Sequence, residues 1–284
     1  MPVDLHLHSA RSDGTDEPRA LVELAATAGL AAIALTDHDT LDGVPEAADA
    51  AEEAGIGFVP GTELSLEWPL GTMHLLVYHL LPGQGPLQDR LEGLRRSREK
   101  RNEEIVARLR AAGMALSYEE VLDEAGGGVV GRPHIAAVMG RRGAADSIAD
   151  AFDRWLARGR PGYVERMRLG PEEAIELAGA SGAVPVLAHP HTIGVSSDEY
   201  AGSFSALADA GLAGIEAYYG EYPSELRRHL AHLAERLGLV PTGGSDYHGR
   251  YKPGLRVGIG RGDLRVPDET VEAIAAMRPG RPRG

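Results

Sequence analysis

The amino-acid sequence predicts an α/β protein: a closed, somewhat irregular barrel of seven strands built from βα units and interrupted by a mostly helical insertion. Three observations carry this reading. Short apolar runs alternate with amphipathic helical stretches in both outer parts of the chain. That rhythm disappears between Leu81 and about Tyr163. Histidines and carboxylates recur at or beside the ends of the apolar runs, where parallel βα barrels build their sites. A doubly wound sheet also places a site at strand ends, but it does not readily gather polar groups from nearly every strand onto one point.

Residues 3–7 read as the first strand. Glu17–Gly29 reads as a helix, with Pro18 in its first turn and Gly29 at its stop. Ala31–Leu35 is a buried-strand run, Pro45–Gly55 a helix, Ile56–Val59 a third strand and Met73–Leu80 a fourth. The breaker cluster Pro82-Gly83-Gln84-Gly85-Pro86 then opens the insertion. It continues with a long helix over Leu87–Ala112, a loop over Asp123–Gly128 and helices near His134–Met139 and Ile148–Arg158. It closes at Arg160-Pro161-Gly162-Tyr163-Val164. The alternation resumes with helix Pro171–Ser181, strand Val184–Ala188, helix Ser203–Ala210, strand Gly214–Tyr218, helix Ser224–Leu237 and strand Leu239–Thr242. Residues 1–81 and 165–284 are thus expected to form the barrel and residues 82–164 a helical cap.

A chain of 284 residues buries a substantial core without staples. It contains no cysteine, which excludes disulfides, thiolate ligands and cysteine nucleophiles and leaves only nitrogen and oxygen to bind a metal. The N-terminus opens on a strand-like run without the zones of a signal peptide, and no segment approaches 18 uninterrupted apolar residues. A soluble cytoplasmic protein without membrane contact is expected. The net charge of -13 argues against a surface for duplex DNA, because such binding rests on Lys and Arg neutralising phosphates. Charge is uneven, however. Residues 90–168 hold 16 Lys plus Arg against 12 Asp plus Glu, a basic segment within an acidic body. That segment is either a solvated helical surface or a phosphate-facing cap.

The chemistry begins at Asp4-Leu5-His6-Leu7-His8-Ser9. In a strand, residues i and i+2 point the same way, so two imidazoles can meet one ion. Alone, this pair is as readily an ordinary half-buried one. It is joined by Ser12-Asp13-Gly14, Thr36-Asp37-His38-Asp39, Gly61-Thr62-Glu63, Met73-His74, Ala188-His189-Pro190 and Gly244-Ser245-Asp246-Tyr247-His248. Together these motifs resemble the polymerase and histidinol phosphatase (PHP) family of metal phosphoesterases, over essentially the whole chain apart from the insertion.

The resemblance implies a distorted seven-stranded barrel holding two to three divalent ions, with manganese expected and iron or zinc as alternatives. It implies that His6, His8, Glu63 and Asp246 surround one ion. Asp13, His38 and His248 would hold a second, and Glu63, His74 and His189 a third, with Glu63 bridging. Clustered cations lower the pKa of a water and stabilise phosphoryl charge, so an ester can be hydrolysed without a protein nucleophile. Asp13, His189 and His248 are the expected catalytic residues, the two histidines as candidates for assisting the leaving oxygen.

Within the insertion, Gly131-Arg132-Pro133-His134-Ile135-Ala136 resembles the subgroup that removes the 3'-phosphate of nucleoside 3',5'-bisphosphates and trims short RNA from its 5' end. The expected partner is accordingly a small phosphorylated nucleotide or short RNA. Arg132 and His134 are candidates to clamp a substrate phosphate; the alternative is that Arg132 pairs with a neighbouring carboxylate. Lys100 and Arg101, with Ser97 and Asn102, are further candidates on the long helix. Competing functions are hydrolysis of another small phosphoester (histidinol phosphate, a cyclic or a sugar phosphate) and metal-dependent binding without turnover. His79, His229 and His232 match no motif and are read as structural. Asp37 and Asp39 are read as supports of ligands or loops. His191 stands where the resemblance leads one to expect glycine, and Gly126-Gly127-Gly128 is too short and wrongly placed for a nucleotide P-loop.

Overall fold

The computed structural model describes residues 1–280. Seven strands form one sheet in the order of the chain: β1 (Val3–Leu7), β2 (Ala32–Leu35), β3 (Gly57–Leu66), β4 (Met73–Tyr78), β5 (Val184–Leu187), β6 (Gly214–Tyr219) and β7 (Val240–Gly244). The residues just after β7 return to β1. Asp246 N donates to His6 O (2.9 Å) and His8 N to Tyr247 O (3.1 Å), so the sheet curls into a nearly closed barrel. Fully buried Asp4 reinforces this seam by accepting from Ser245 N (2.9 Å) and Gly258 N (2.7 Å). Val3, Ala34, Val59, Leu76 and Val186, from five strands, share one apolar cluster with Ile274.

Helices α1 (Pro18–Thr27) and α2 (Val44–Ala54) cover β1 and β2 with Leu21, Val22, Ala47 and Ala51. Both open on proline in the first turn, where the missing N–H is no loss. Between β4 and β5 lie α3 (Pro86–Ala111), α4 (Tyr118–Ala125), α5 (Arg132–Arg141) and α6 (Ile148–Ala151), the last running into a π-helical turn over Phe152–Leu156. Ile105, Leu109, Val121, Ile135 and Met139 give this helical segment an apolar core of its own. Then follow α7 (Pro171–Ala180), α8 (Tyr200–Asp209), α9 (Ser224–Arg236) and α10 (Glu269–Ala276). No helix among the described residues is long and apolar enough to cross a membrane.

Three expectations are corrected. The third strand does not stop at Val59; it continues to Leu66, so Glu63 lies within β3. The sheet is not wholly parallel, because β4 runs antiparallel to both β3 and β5. Only residues 67–72 separate β3 from β4, and a parallel return needs a crossover of about a dozen residues or more. The expected loop at Asp123–Gly128 begins as helix: Ser117 and Glu120 form a reciprocal cap on α4, and left-handed Gly126 ends it. Neither α4 nor α10 was expected.

Candidate metal centre

The nine predicted ligands converge at one mouth of the barrel, carried there in different ways. His6 lies within β1 and His8 one residue beyond it. His38, His189, Asp246 and His248 follow the C-terminal ends of β2, β5 and β7. His74 is near the start of β4, and it reaches the same mouth because that strand runs in reverse. Backbone strain marks the place. Asp39, His189 and Asp246 adopt positive φ (55°, 24° and 53°), a conformation that non-glycine residues hold only when their surroundings impose it.

Glu63 lies at the centre. Its Oε1 faces His74 Nδ1 (2.8 Å) and His189 Nε2 (3.0 Å); its Oε2 faces His8 Nε2 (3.1 Å), His6 Nε2 (3.4 Å) and His38 Nδ1 (3.4 Å). Asp13 faces His248 Nε2 (3.4 Å), His8 Nδ1 (3.7 Å) and His38 Nε2 (3.8 Å). Asp246 Oδ1 is 3.5 Å from both His6 Nε2 and His8 Nε2. Ligand atoms therefore gather in three overlapping sets: His8, Asp13, His38 and His248; His6, His8 and Glu63; His38, Glu63 and His74.

The donor set suits divalent cations. Burial alone would raise the pKa values of Asp13, Glu63 and Asp246, yet the imidazoles facing Asp13 and Glu63, and at Asp246 the Lys252 ammonium followed by the imidazoles, hold all three well below the ordinary carboxylate range. Burial and neighbouring imidazoles push His8 down to about 3, and burial takes His74 to about 4, so both are neutral, the state a ligand needs. His6 goes the other way. Burial opposes its charge, but Glu216, Asp246 and Glu63 raise its pKa, a measure of how much negative charge surrounds it. His8 Nδ1 is buried with no hydrogen-bond partner among the described residues, an orphaned lone pair or N–H of the kind a ligand would explain.

Supporting residues are placed as expected in part. Asp37 clasps the Ser9–Ser12 loop, accepting from Ser9 N (2.7 Å), Ser9 Oγ (2.6 Å) and Ser12 Oγ (2.7 Å). Asp39 turns away from the imidazoles and accepts from Arg98 (2.7 Å) and Arg166 (3.0 Å). Three supports went unread in the sequence. Fully buried Glu216 binds His6 Nδ1 (2.8 Å) with one oxygen and accepts from His189 N (2.7 Å) with the other, tying two strands' histidines together. Its one visible signal was an acidic residue inside the apolar run Gly214-Ile215-Glu216-Ala217. Tyr219 Oη donates to Asp246 Oδ2 (2.8 Å), and the Lys252 ammonium pairs with the same oxygen. His191 Nδ1 meets Tyr222 Oη (2.9 Å), off the cavity wall.

Above this nest lies a cavity of about 470 Å³ whose other wall comes from the helical segment: Arg98, Arg101, Arg132, Phe152 and Tyr163, with Arg166 and Arg168 just after it. Arg132 makes no ion pair among the described residues; it lies over the Phe152 ring (5.3 Å) and donates to Leu156 O (3.1 Å). Arg101 is buried, and its Nε and Nη2 have no partner among the described residues. Lys100 does not join these groups. On α3 the inward face is Arg98, Arg101, Asn102 and Ile105, which leaves Lys100 exposed on the opposite side. His134 is buried but off the cavity wall, because its Nδ1 accepts from Gly131 N (2.9 Å) and caps α5. Ser97 Oγ accepts from Met167 N (3.0 Å), and Asn102 Nδ2 donates to Val130 O (2.7 Å), so neither faces the cavity.

Comparison with known proteins agrees with this geometry. The PHP domain model matches residues 4–167. A 3',5'-nucleoside bisphosphate phosphatase of Chromobacterium violaceum is 32% identical over 257 residues, 90% of each chain. The 5'-3' exoribonuclease Rnm of Salmonella typhimurium is 32% identical over 86% of this chain and 84% of that protein. A Bifidobacterium adolescentis structure described as a metal-dependent phosphoesterase superposes with a TM-score of 0.85 at 30% identity, covering 98% of both chains. Fold, nest and relatives together define a metal-dependent hydrolase of phosphoric esters. The chain belongs to the PHP family.

Proposed function

We propose that the chain removes the 3'-phosphate of nucleoside 3',5'-bisphosphates and trims short 5'-phosphorylated RNA by the same chemistry. The observation that carries the reading is Arg101. A buried guanidinium without a partner is costly, and here it faces the cavity that the nest also faces. Such a group calls for an anion from the ligand, distinct from the phosphate that is cleaved. A substrate with two separated phosphates satisfies both walls, and Phe152 with Tyr163 offers aromatic surface for a base between them.

In this reading His6, His8, Glu63 and Asp246, then Asp13, His38 and His248, then Glu63, His74 and His189 would hold two to three divalent cations, with manganese the first choice. When bound, such cations supply an acidified water and neutralise phosphoryl charge. The chain's own residues do the rest. Arg101, Arg98 and Arg168 orient the second phosphate, and Glu216 fixes which nitrogen of His6 faces inward. His189 and His248 each present Nε2 to a carboxylate, which favours ligation over proton donation to the leaving oxygen.

The test is phosphate release by manganese-loaded protein from adenosine 3',5'-bisphosphate, adenosine 3'-phosphate and a sugar phosphate. The bisphosphate is expected to exceed the other two in kcat/KM by more than about tenfold, or roughly 1.4 kcal/mol. No release from the bisphosphate alongside turnover of the sugar phosphate overturns the substrate assignment. Tight binding without turnover of any of them would make the chain a binder.

A further inference from the structure

We propose that the segment Gly128–Gly131 is the outer wall of the Asp13 loop and sets how firmly the Asp13, His38 and His248 group holds its cation. This rests on the metal-binding reading above. Asp13 lies on no strand. Its loop is shaped from within by Ser12 N and Gly14 N donating to Ser9 O (3.0 Å each) and by the hydroxyls on Asp37. Those bonds leave the far side of the loop open, and the helical segment closes it.

Three contacts make that closure. Val129 N donates to Arg11 O at 2.9 Å. Gly128 presses so closely on Ala10 that a Cβ there would lie 2.1 Å from the Ala10 carbonyl oxygen. A Cβ on Gly131 would lie 3.0 Å from Asp13 Oδ2 and 3.1 Å from Asp13 Cβ. Gly131 has φ -110°, a conformation open to any residue, so the site demands a missing side chain and not backbone freedom. Gly126 and Gly127 are the reverse case: φ 59° and 92°, with open space where a Cβ would go.

The wall is anchored elsewhere. Fully buried Asn102 donates to Val130 O (2.7 Å) from the same turn of α3 that carries Arg98 and Arg101. One helix thus presents arginines to the cavity and steadies the loop that presents Asp13. His6, His74 and Glu63 are held by strands, so displacing the wall moves Asp13 and spares them. The glycine run that is no P-loop becomes a packing device for a metal ligand.

The experiment compares Gly128→Ala, Gly131→Ala and Gly127→Ala after manganese loading and desalting. It measures manganese per chain by elemental analysis, affinity by chelator competition, and thermal midpoint. Gly128→Ala is expected to weaken one ion, that of the Asp13, His38 and His248 group, by about 10–100-fold, the range for groups that orient a ligand, with the remaining ions unchanged. Gly131→Ala should show a smaller loss of the same kind. Gly127→Ala should lower the midpoint and keep the full content. Should Gly128→Ala fail to fold, Asn102→Ala is expected to lose the same ion. Full content and affinity in the variant that folds overturns the inference, as does equal loss in Gly127→Ala. A wild-type chain that takes up no divalent cation overturns the metal-binding reading and this inference with it.

Discussion

The two walls of the cavity are built on opposite principles. On the barrel wall, each central carboxylate faces two or more imidazoles, and Glu63 alone faces five. On the helical wall, Asp39 pairs with both Arg98 and Arg166, but none of the described residues pairs with Arg101. The first wall concentrates buried negative charge that protons can satisfy only in part. The second leaves positive charge unmet. A phosphate ester bound between them, with cations on one side and guanidinium on the other, balances both.

The largest effect should come from breaking the barrel wall. Asp246→Ala removes the carboxylate next to His6, His8 and His248 and is expected to lower phosphatase kcat/KM by at least about 1,000-fold, roughly 4 kcal/mol. Elemental analysis should show a parallel loss of metal. Metal lost without loss of turnover would mean that the nest is structural.

Cutting the tie between the walls ranks next. Asp39 is buried, and although burial alone would raise its pKa, Arg166 and Arg98 hold it well below the ordinary value of 3.8. Its stabilising contribution is therefore complete above that value and is lost only as pH falls through the depressed one. Asp39→Asn leaves two buried guanidinium groups unpaired and should cost about 3 kcal/mol in urea unfolding at pH 7. A cost under about 1 kcal/mol would show that the arginines find water instead.

Arg101→Met tests the contrast from the other side. Burial, then Arg98 and Arg132, disfavour the Arg101 charge. Removing it should raise the thermal midpoint while raising KM for the bisphosphate about tenfold with little change in kcat. A variant that is both destabilised and unchanged in KM would assign Arg101 to the fold and not to the ligand.

Much of this was legible in the sequence, for physical reasons that also explain the gaps. The alternation of apolar runs and helices needs only local periodicity, and the motif histidines stand beside it. What local pattern could not supply was strand direction. His74 joins the site because β4 is antiparallel, a consequence of a short connection that the run lengths contained but whose effect on strand direction was not drawn. Glu216 was hidden because a buried carboxylate in an apolar run is indistinguishable from a surface residue until its two histidines are in place. Lys100 and Arg101 are adjacent in sequence, and only the helix rotation separates the exposed one from the buried one.

The smallest effect distinguishes two kinds of buried carboxylate, one on the cavity wall and one at the barrel seam. Asp13 is drawn down by imidazoles, whereas Asp4 accepts mainly from backbone N–H groups, and burial carries it up from 3.8 to about 6. A raised pKa means that the folded chain holds this proton more tightly than the unfolded chain does. Its stabilisation is thus complete below 3.8 and fades as pH rises through 6. Between pH 7 and pH 5 the wild type should gain about 1 kcal/mol relative to Asp4→Asn, read from urea midpoints in chelator so that metal uptake does not intervene. A difference that stays flat over that window would mean that the N–H groups of His6, Ser245 and Gly258 outweigh burial. Asp4 would then be a permanent anion closing the barrel seam.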